Sequence, residues 1–203
     1  MRLSVSDLQC WQRYRKNQEV TLEDCLRQLR REELPSPALL AGRKLHKALE
    51  SAQYDQDDVS PFGQSVLKYK DYVFIFQCDV EISIPQVREL KGEMLVETST
   101  GPVTLVGVVD SVDVSVSDYK LTGHFDSERL IASYQWRCYL QMFQRHRFDY
   151  KVFVGEEIKP KEWAIKDYHE LSVYGYPGME QDIQREVGEC ARFMREHVWP
   201  KAA

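Results

Sequence analysis

Residues 105–139 read LVGVVDSVDVSVSDYKLTGHFDSERLIASYQWRCY, and this stretch constrains the fold more than any other. The runs 105–112 and 116–121 are dense in β-branched residues and poor in turn formers, which predicts two strands joined as a hairpin. Asp110, Asp118 and Lys120 are the ionisable residues inside these apolar runs. Side chains alternate along a strand, so Asp118 and Lys120 share a face. A turn centred on residues 113–115 sets Asp110 opposite Asp118, a register that a one-residue slip would destroy. Facing carboxylates sit at roughly 5 Å and repel each other. Protonation of one, or a cation between them, relieves the repulsion. A hard divalent ion held by oxygen is the natural cation. Lys120 would then stand beside it, suited to positioning or activating a water. A solvent-facing strand edge can carry the same letters for solubility alone, so the pattern needs support from elsewhere in the chain.

At 203 residues the chain predicts one domain spanning 1–203. Residues 1–60 form its helical N-terminal part, 66–175 a sheet core that includes a helix over 127–145, and 179–197 a C-terminal helix. In the first part, Ser4 or Ser6 caps an opening helix, and Thr21 with Asp24 resembles a capping box for a second over 21–33. Pro35 and Pro37 end that second helix, and a third starts at Ser36 or Pro37 and carries His46. An acidic loop, 54–60, precedes the strands. Strands are predicted from Val66, at 72–76, 78–84 and 93–98, then the central hairpin, then 150–154. Residues 163–173 read as a further strand or an irregular connection. The order of elements predicts an α/β fold, a mixed central sheet with helices packed on it.

Composition excludes several classes. No apolar run approaches the roughly 18 residues of a membrane helix, and the N-terminus lacks a signal-peptide core; an intracellular protein that does not meet a membrane is expected. The five cysteines, Cys10, Cys25, Cys78, Cys138 and Cys190, contain no C-x-x-C pair, so neither a zinc site nor a disulfide framework is supported. A net charge of −5 argues against simple coating of nucleic acid. The charge is uneven, however. Residues 1–49 hold ten Lys/Arg against six Asp/Glu, 119–151 six against three, and 50–118 four against thirteen. A basic face around an acidic centre is compatible with binding phosphates at a metal site.

Four pieces then fall in order. LAGRKLHKALE (40–50) carries His46 on a helix behind Arg43 and Lys44; GVVD (107–110) supplies Asp110; Asp118-Tyr119-Lys120 supplies D-x-K; and QWRCY (135–139) places Gln135 and Tyr139 one turn apart on a helix. This order resembles the RecB-type branch of the PD-(D/E)XK nuclease superfamily, with its Cas4-like proteins and phage recombination exonucleases. The resemblance implies the restriction-endonuclease-like core of that superfamily and Mg²⁺ or Mn²⁺ as cofactor. It makes His46, Asp110 and Asp118 metal ligands, with the carbonyl of Tyr119 as a further one. Lys120 would orient or deprotonate the attacking water, so that Asp110, Asp118 and Lys120 form the catalytic set. Gln135 and Tyr139 would hold the DNA strand near its end, Arg43 and Lys44 would meet phosphate, and Glu81 would add a second-shell or second-metal carboxylate.

Cas4-like relatives clamp an iron–sulfur cluster with four cysteines, one before the core and three after it. Here only Cys190 follows, so no cluster is expected. The resulting expectation is a cytoplasmic exonuclease of a prokaryotic or phage-infected cell, acting on linear DNA ends in recombination or repair, with a single-strand annealing protein or helicase as possible partner. The alternatives are a structure-specific endonuclease and a catalytically silent nuclease-like module that binds or inhibits a DNA-processing complex.

Overall fold

The computed structural model of the chain describes residues 1–16, 20–51, 65–80 and 88–199. Among the described residues, eight strands form one mixed sheet with helices on both faces. The chain opens with β1 (Arg2–Ser4), α1 (Val5–Arg15), α2 (Leu22–Leu29) and α3 (Pro37–Ser51). Strands β2 (Val66–Tyr69), β3 (Tyr72–Phe76), β4 (Arg88–Val96), β5 (Val103–Val112) and β6 (Val116–Thr122) follow. Helices α4 (Ser127–Ala132) and α5 (Gln135–Phe143), strands β7 (Arg147–Lys159) and β8 (Glu162–Tyr174), and α6 (Met179–His197) complete the fold. The order across the sheet is β1-β5-β6-β7-β8-β3-β2, with β4 along the other side of β5. This is the mixed sheet flanked by helices that the sequence predicts.

Two apolar layers hold the helices to the sheet. On one face α1, α5 and α6 pack through Leu8, Trp11, Trp136, Leu140, Val187 and Met194. On the other, Ala41, Leu45 and Leu49 of α3 pack with Phe74, Tyr119, Phe153 and Ile165. The central hairpin turn is pinned from outside. Buried Asp149 on β7 accepts from Ser115 Oγ at 2.5 Å, from Ser172 Oγ of β8 at 2.7 Å and from Arg147 Nε at 3.1 Å. A buried carboxylate is tolerable only with partners such as these.

Several elements differ from the sequence-based expectation. β1 is absent from it, because three residues carry too little pattern to read; the strand exists through its parallel pairing with 104–106 of β5. The second helix stops at Leu29, ahead of the prolines, where Arg31 takes a left-handed φ of 62°. The single helix predicted over 127–145 is two, since Ser133 is extended (ψ 141°) and closes α4. Residues 77–80 are not strand, and the rest of the predicted 78–84 strand lies outside the described residues, as does the 54–60 loop. The strands at 150–154 and 163–173 are parts of a longer hairpin, β7–β8. Ser4 does cap α1: it accepts from the Asp7 amide at 3.0 Å, while Asp7 Oδ2 accepts from the Ser4 amide at 2.9 Å. Thr21 and Asp24 form the same reciprocal cap on α2.

The Ser4 cap joins the end of β1 to α1, so its loss should be felt at both. Ser4→Ala is expected to lower the unfolding free energy by about 1 kcal/mol, measured by urea denaturation; an unchanged midpoint would contradict the cap.

Candidate active site

The β5–β6 hairpin is paired only at its closed end, where Ser111 faces Ser117 and Val112 faces Val116. That register puts Asp110 across from Asp118, as the turn position predicts, but pairing stops one step short of them. β6 continues as the parallel partner of β7 from Val116 to Thr122, while β5 runs on between β1 and β4. The two aspartates therefore stand at the crotch of a fork. Separation costs Tyr119 a ladder partner, and its amide donates instead to Asp110 Oδ2 at 2.6 Å. A buried amide needs such a substitute.

Three other elements reach into the fork. His46 arrives from α3, its Nδ1 3.0 Å from Asp110 Oδ1 and its ring edge-on to Tyr119 at 6.0 Å. Gln135, the first residue of α5, donates from Nε2 to Asp118 Oδ1 at 2.9 Å. Lys120 Nζ lies 2.6 Å from Asp118 Oδ2. The contact is an ion pair between a buried carboxylate and an ammonium whose side chain is about one-third exposed. Burial pushes the Asp118 carboxyl above the usual carboxylate range; the Lys120 ammonium opposes the shift and the Asp110 carboxylate adds to it. Burial works to lower the His46 pKa, but the hydrogen bond and charge of Asp110, with Asp118 beyond, outweigh it and leave the imidazole raised. Asp118 is only 4% exposed and Gln135 6%.

The Q-x-x-x-Y pair contacts the protein itself. Besides the bond from Gln135 to Asp118, Tyr139 donates from its hydroxyl to the Val108 carbonyl at 2.9 Å. Its ring lies on Gly107, where a Cβ would overlap it. The glycine of G-x-x-D, three residues before Asp110, is thus the space into which the tyrosine fits. The break between α4 and α5 starts α5 at Gln135, and Gln12 of α1 clamps it by donating to Ala132 O at 3.0 Å and accepting from the Tyr134 amide at 3.2 Å. Sequence reasoning missed Gln12; a glutamine inside an amphipathic helix gives no signal of its tertiary partner.

The remaining predicted residues scatter. Arg43 is exposed and lines the cleft that contains Lys120 and Gln135, but Lys44 lies over the Tyr69 ring at 5.8 Å and does not line it. Tyr119 turns its ring into the α3-side layer. Glu81 lies outside the described residues. A residue not foreseen is Glu89 of β4, left-handed at φ 48°, at the position in the β4 register that faces Asp110. Lys47 ties it to α3 by pairing with both Glu89 and Glu50, the latter at 2.8 Å.

Among the described residues no three His, Cys, Asp or Glu side chains already converge as a metal cage. The donors are present but turned to one another: His46 bonds Asp110, and the Lys120 ammonium takes the cation's place at Asp118. Gln135 Oε1 is buried without a hydrogen bond, and Asp118 Oδ2 is met by the Lys120 ammonium. Two carboxylates and an amide oxygen close together are the donor chemistry of a hard divalent ion that keeps part of its water shell, which Asp110 and Asp118 would hold with His46 beside them.

No protein-family model matches the chain, and no curated protein matches it. Solved structures do. SSO0001 aligns with a TM-score of 0.54 at 14% identity, over 95% of this chain and 76% of its own. A candidate exonuclease from Eubacterium rectale aligns at 0.51 and 13%, over 96% and 80%. LHK-Exo in complex with dAMP aligns at 0.47 and 11%, over 97% and 89%. At these identities the first two similarities are of fold, and that fold is the mixed sheet flanked by helices described above.

The buried ion pair makes a stability prediction. Removing Lys120 strands a carboxylate, whereas neutralising Asp118 does not. Lys120→Met is expected to cost about 3 kcal/mol of unfolding free energy, and Asp118→Asn about 1 kcal/mol. The double variant should lose clearly less than the sum, read by urea titration; strict additivity would show that the pair is not coupled.

Proposed function

We propose that the chain is a metal-dependent deoxyribonuclease, an exonuclease that hydrolyses phosphodiester bonds at linear DNA ends in prokaryotic or phage recombination or repair. The observation that carries this reading is the meeting of His46, Asp110, Asp118 and Lys120 in one fork, although they lie on three elements and span residues 46 to 120. A phosphodiester is anionic and its leaving group is poor. A bound Mg²⁺ or Mn²⁺ would supply charge neutralisation and a more acidic water. Asp110 and Asp118, with His46 and the Tyr119 carbonyl, are the groups that would hold it.

The protein's own groups do the rest. Lys120 Nζ, at the cleft end of the Asp118 pair, orients the attacking water and balances charge gathering on the phosphate. Gln135 fixes Asp118 through Oδ1 and so leaves Oδ2 to Lys120. Tyr139 fixes the β5 backbone beside Asp110. In this reading both serve as positioning groups, and the DNA strand is met by exposed cations such as Arg43. A second reading, a catalytically silent nuclease-like module, draws on the ammonium that already neutralises Asp118.

End-labelled linear DNA and closed circular DNA, each with Mg²⁺ or Mn²⁺, separate these readings. Linear DNA should be digested and circular DNA spared, chelation should stop the reaction, and Asp118→Asn should slow it about 10²–10⁴-fold. Cutting of circles would make it an endonuclease. No digestion, together with no Mn²⁺ binding by calorimetry, would leave the silent module.

A further inference from the structure

The cleft that holds Lys120 and Gln135 extends well beyond them, enclosing about 1040 Å³. Helix α1 lines it with Gln9, Gln12, Arg13 and Lys16, and α4 with Arg129; α3 adds Arg43, and β6 and β7 add Lys120, Thr122, Tyr150 and Val152. Its charge is the reverse of the whole chain's. Arg13, Lys16, Arg31, Arg43, Lys120 and Arg129 face Glu33 and Asp126, six cations to two carboxylates in a chain of net charge −5. Four of these cations are occupied, Lys120 by Asp118 at 2.6 Å. Arg13 donates to Gln28 at 2.9 Å, Arg31 pairs with Asp7 at 2.6 Å, and Lys16 donates to Ala132 O at 3.2 Å. Arg43 and Arg129 are exposed, and their guanidinium groups have no protein partner among the described residues. Two unpaired guanidinium groups on different walls of a cleft that ends at Lys120 call for an anionic ligand running past both.

We propose that this cleft takes one nucleic-acid strand rather than a duplex, and that Arg43 and Arg129 grip its phosphates on the way to the fork. The proposal rests on the nuclease reading for the identity of the strand as DNA. Its own argument is steric and electrostatic. The cleft volume is that of a site enclosing a small molecule, up to roughly 1,000 Å³, which is room for a few nucleotides. Asp118 is nearly buried behind Lys120 and Gln135, which line the cleft together with residues of α1 and α4, so a phosphodiester in the cleft approaches it past those helices. One strand can thread that passage; a duplex brings its second backbone against both walls. The rings on the cleft are those of buried Tyr150 and of His124, so base stacking contributes little and binding is ionic and indifferent to sequence.

The test is binding in chelator, so that no cleavage intervenes, with labelled DNA of one sequence as a single strand and as a blunt duplex. Fluorescence anisotropy should show the single strand bound at least tenfold tighter. Its affinity should fall steeply with salt, and Arg43→Ala and Arg129→Ala should each weaken binding and reduce the slope of log K against log salt by about one. Both side chains are exposed, so neither variant threatens the fold. A duplex bound as tightly as the single strand overturns the proposal, as does a double variant whose affinity and salt slope are unchanged. The two readings fail separately. A protein that binds single strands as stated but never cleaves them with Mg²⁺ or Mn²⁺ would refute the nuclease and leave the strand cleft standing. One that cleaves but prefers duplex would do the reverse.

Discussion

The structure depends on the point where β5 leaves β6. Antiparallel pairing past Ser111 and Ser117 would close the hairpin and bury Asp110 against Asp118 with nothing between them. Instead β6 finds a parallel partner in β7, β5 is held by β1 and β4, and the amide freed at Tyr119 is satisfied by Asp110 itself. The same carboxylate thus repairs the ladder it interrupts and presents its other oxygen to His46. Losing regular pairing at one step opens the space that two strand aspartates, an imidazole from α3 and an amide from α5 share.

Charge balance in the fork is local. Asp118 is deeply buried, and its cost is offset by one ammonium two residues on and one side-chain amide from the opposing helix. Neither comes from a distant surface network. The acidic flank formed by Glu50 and Glu89 is likewise neutralised in place by Lys47. Each helix that touches the fork therefore brings a counterpart for the charge it approaches, which is why the site can be assembled inside a sheet without unfolding it.

Sequence made the centre of this arrangement legible and left its supports hidden. Strand alternation and a turn at 113–115 suffice to put Asp110 across from Asp118, because the side-chain period is two and the register follows from the turn alone. Likewise Met179–His197 carries its helix in its own apolar spacing. What could not be read depends on partners far along the chain. β1 is three residues long and exists through β5. The interruption at Ser133 is fixed by Gln12, 121 residues earlier. Gln135 and Tyr139 share a helical face as their spacing says, yet spacing does not reveal that Asp118 and the Val108 carbonyl already engage them. Lys44 and Arg43 are neighbours in sequence but point about 100° apart around α3, and only the latter lines the cleft.

Pairing of Leu3 with Leu105 has a consequence for how the molecule is made. That contact spans roughly a hundred residues, the kind of separation that slows folding because a long loop must close before any reward is felt. On a ribosome β1 emerges well before β5 and waits, while α1 to α3 and β2 to β4 follow it out. The Ser4 cap is local and can form at once, but the strand it closes, and with it the seat of the α1 wall of the cleft, is completed only after β5 has appeared.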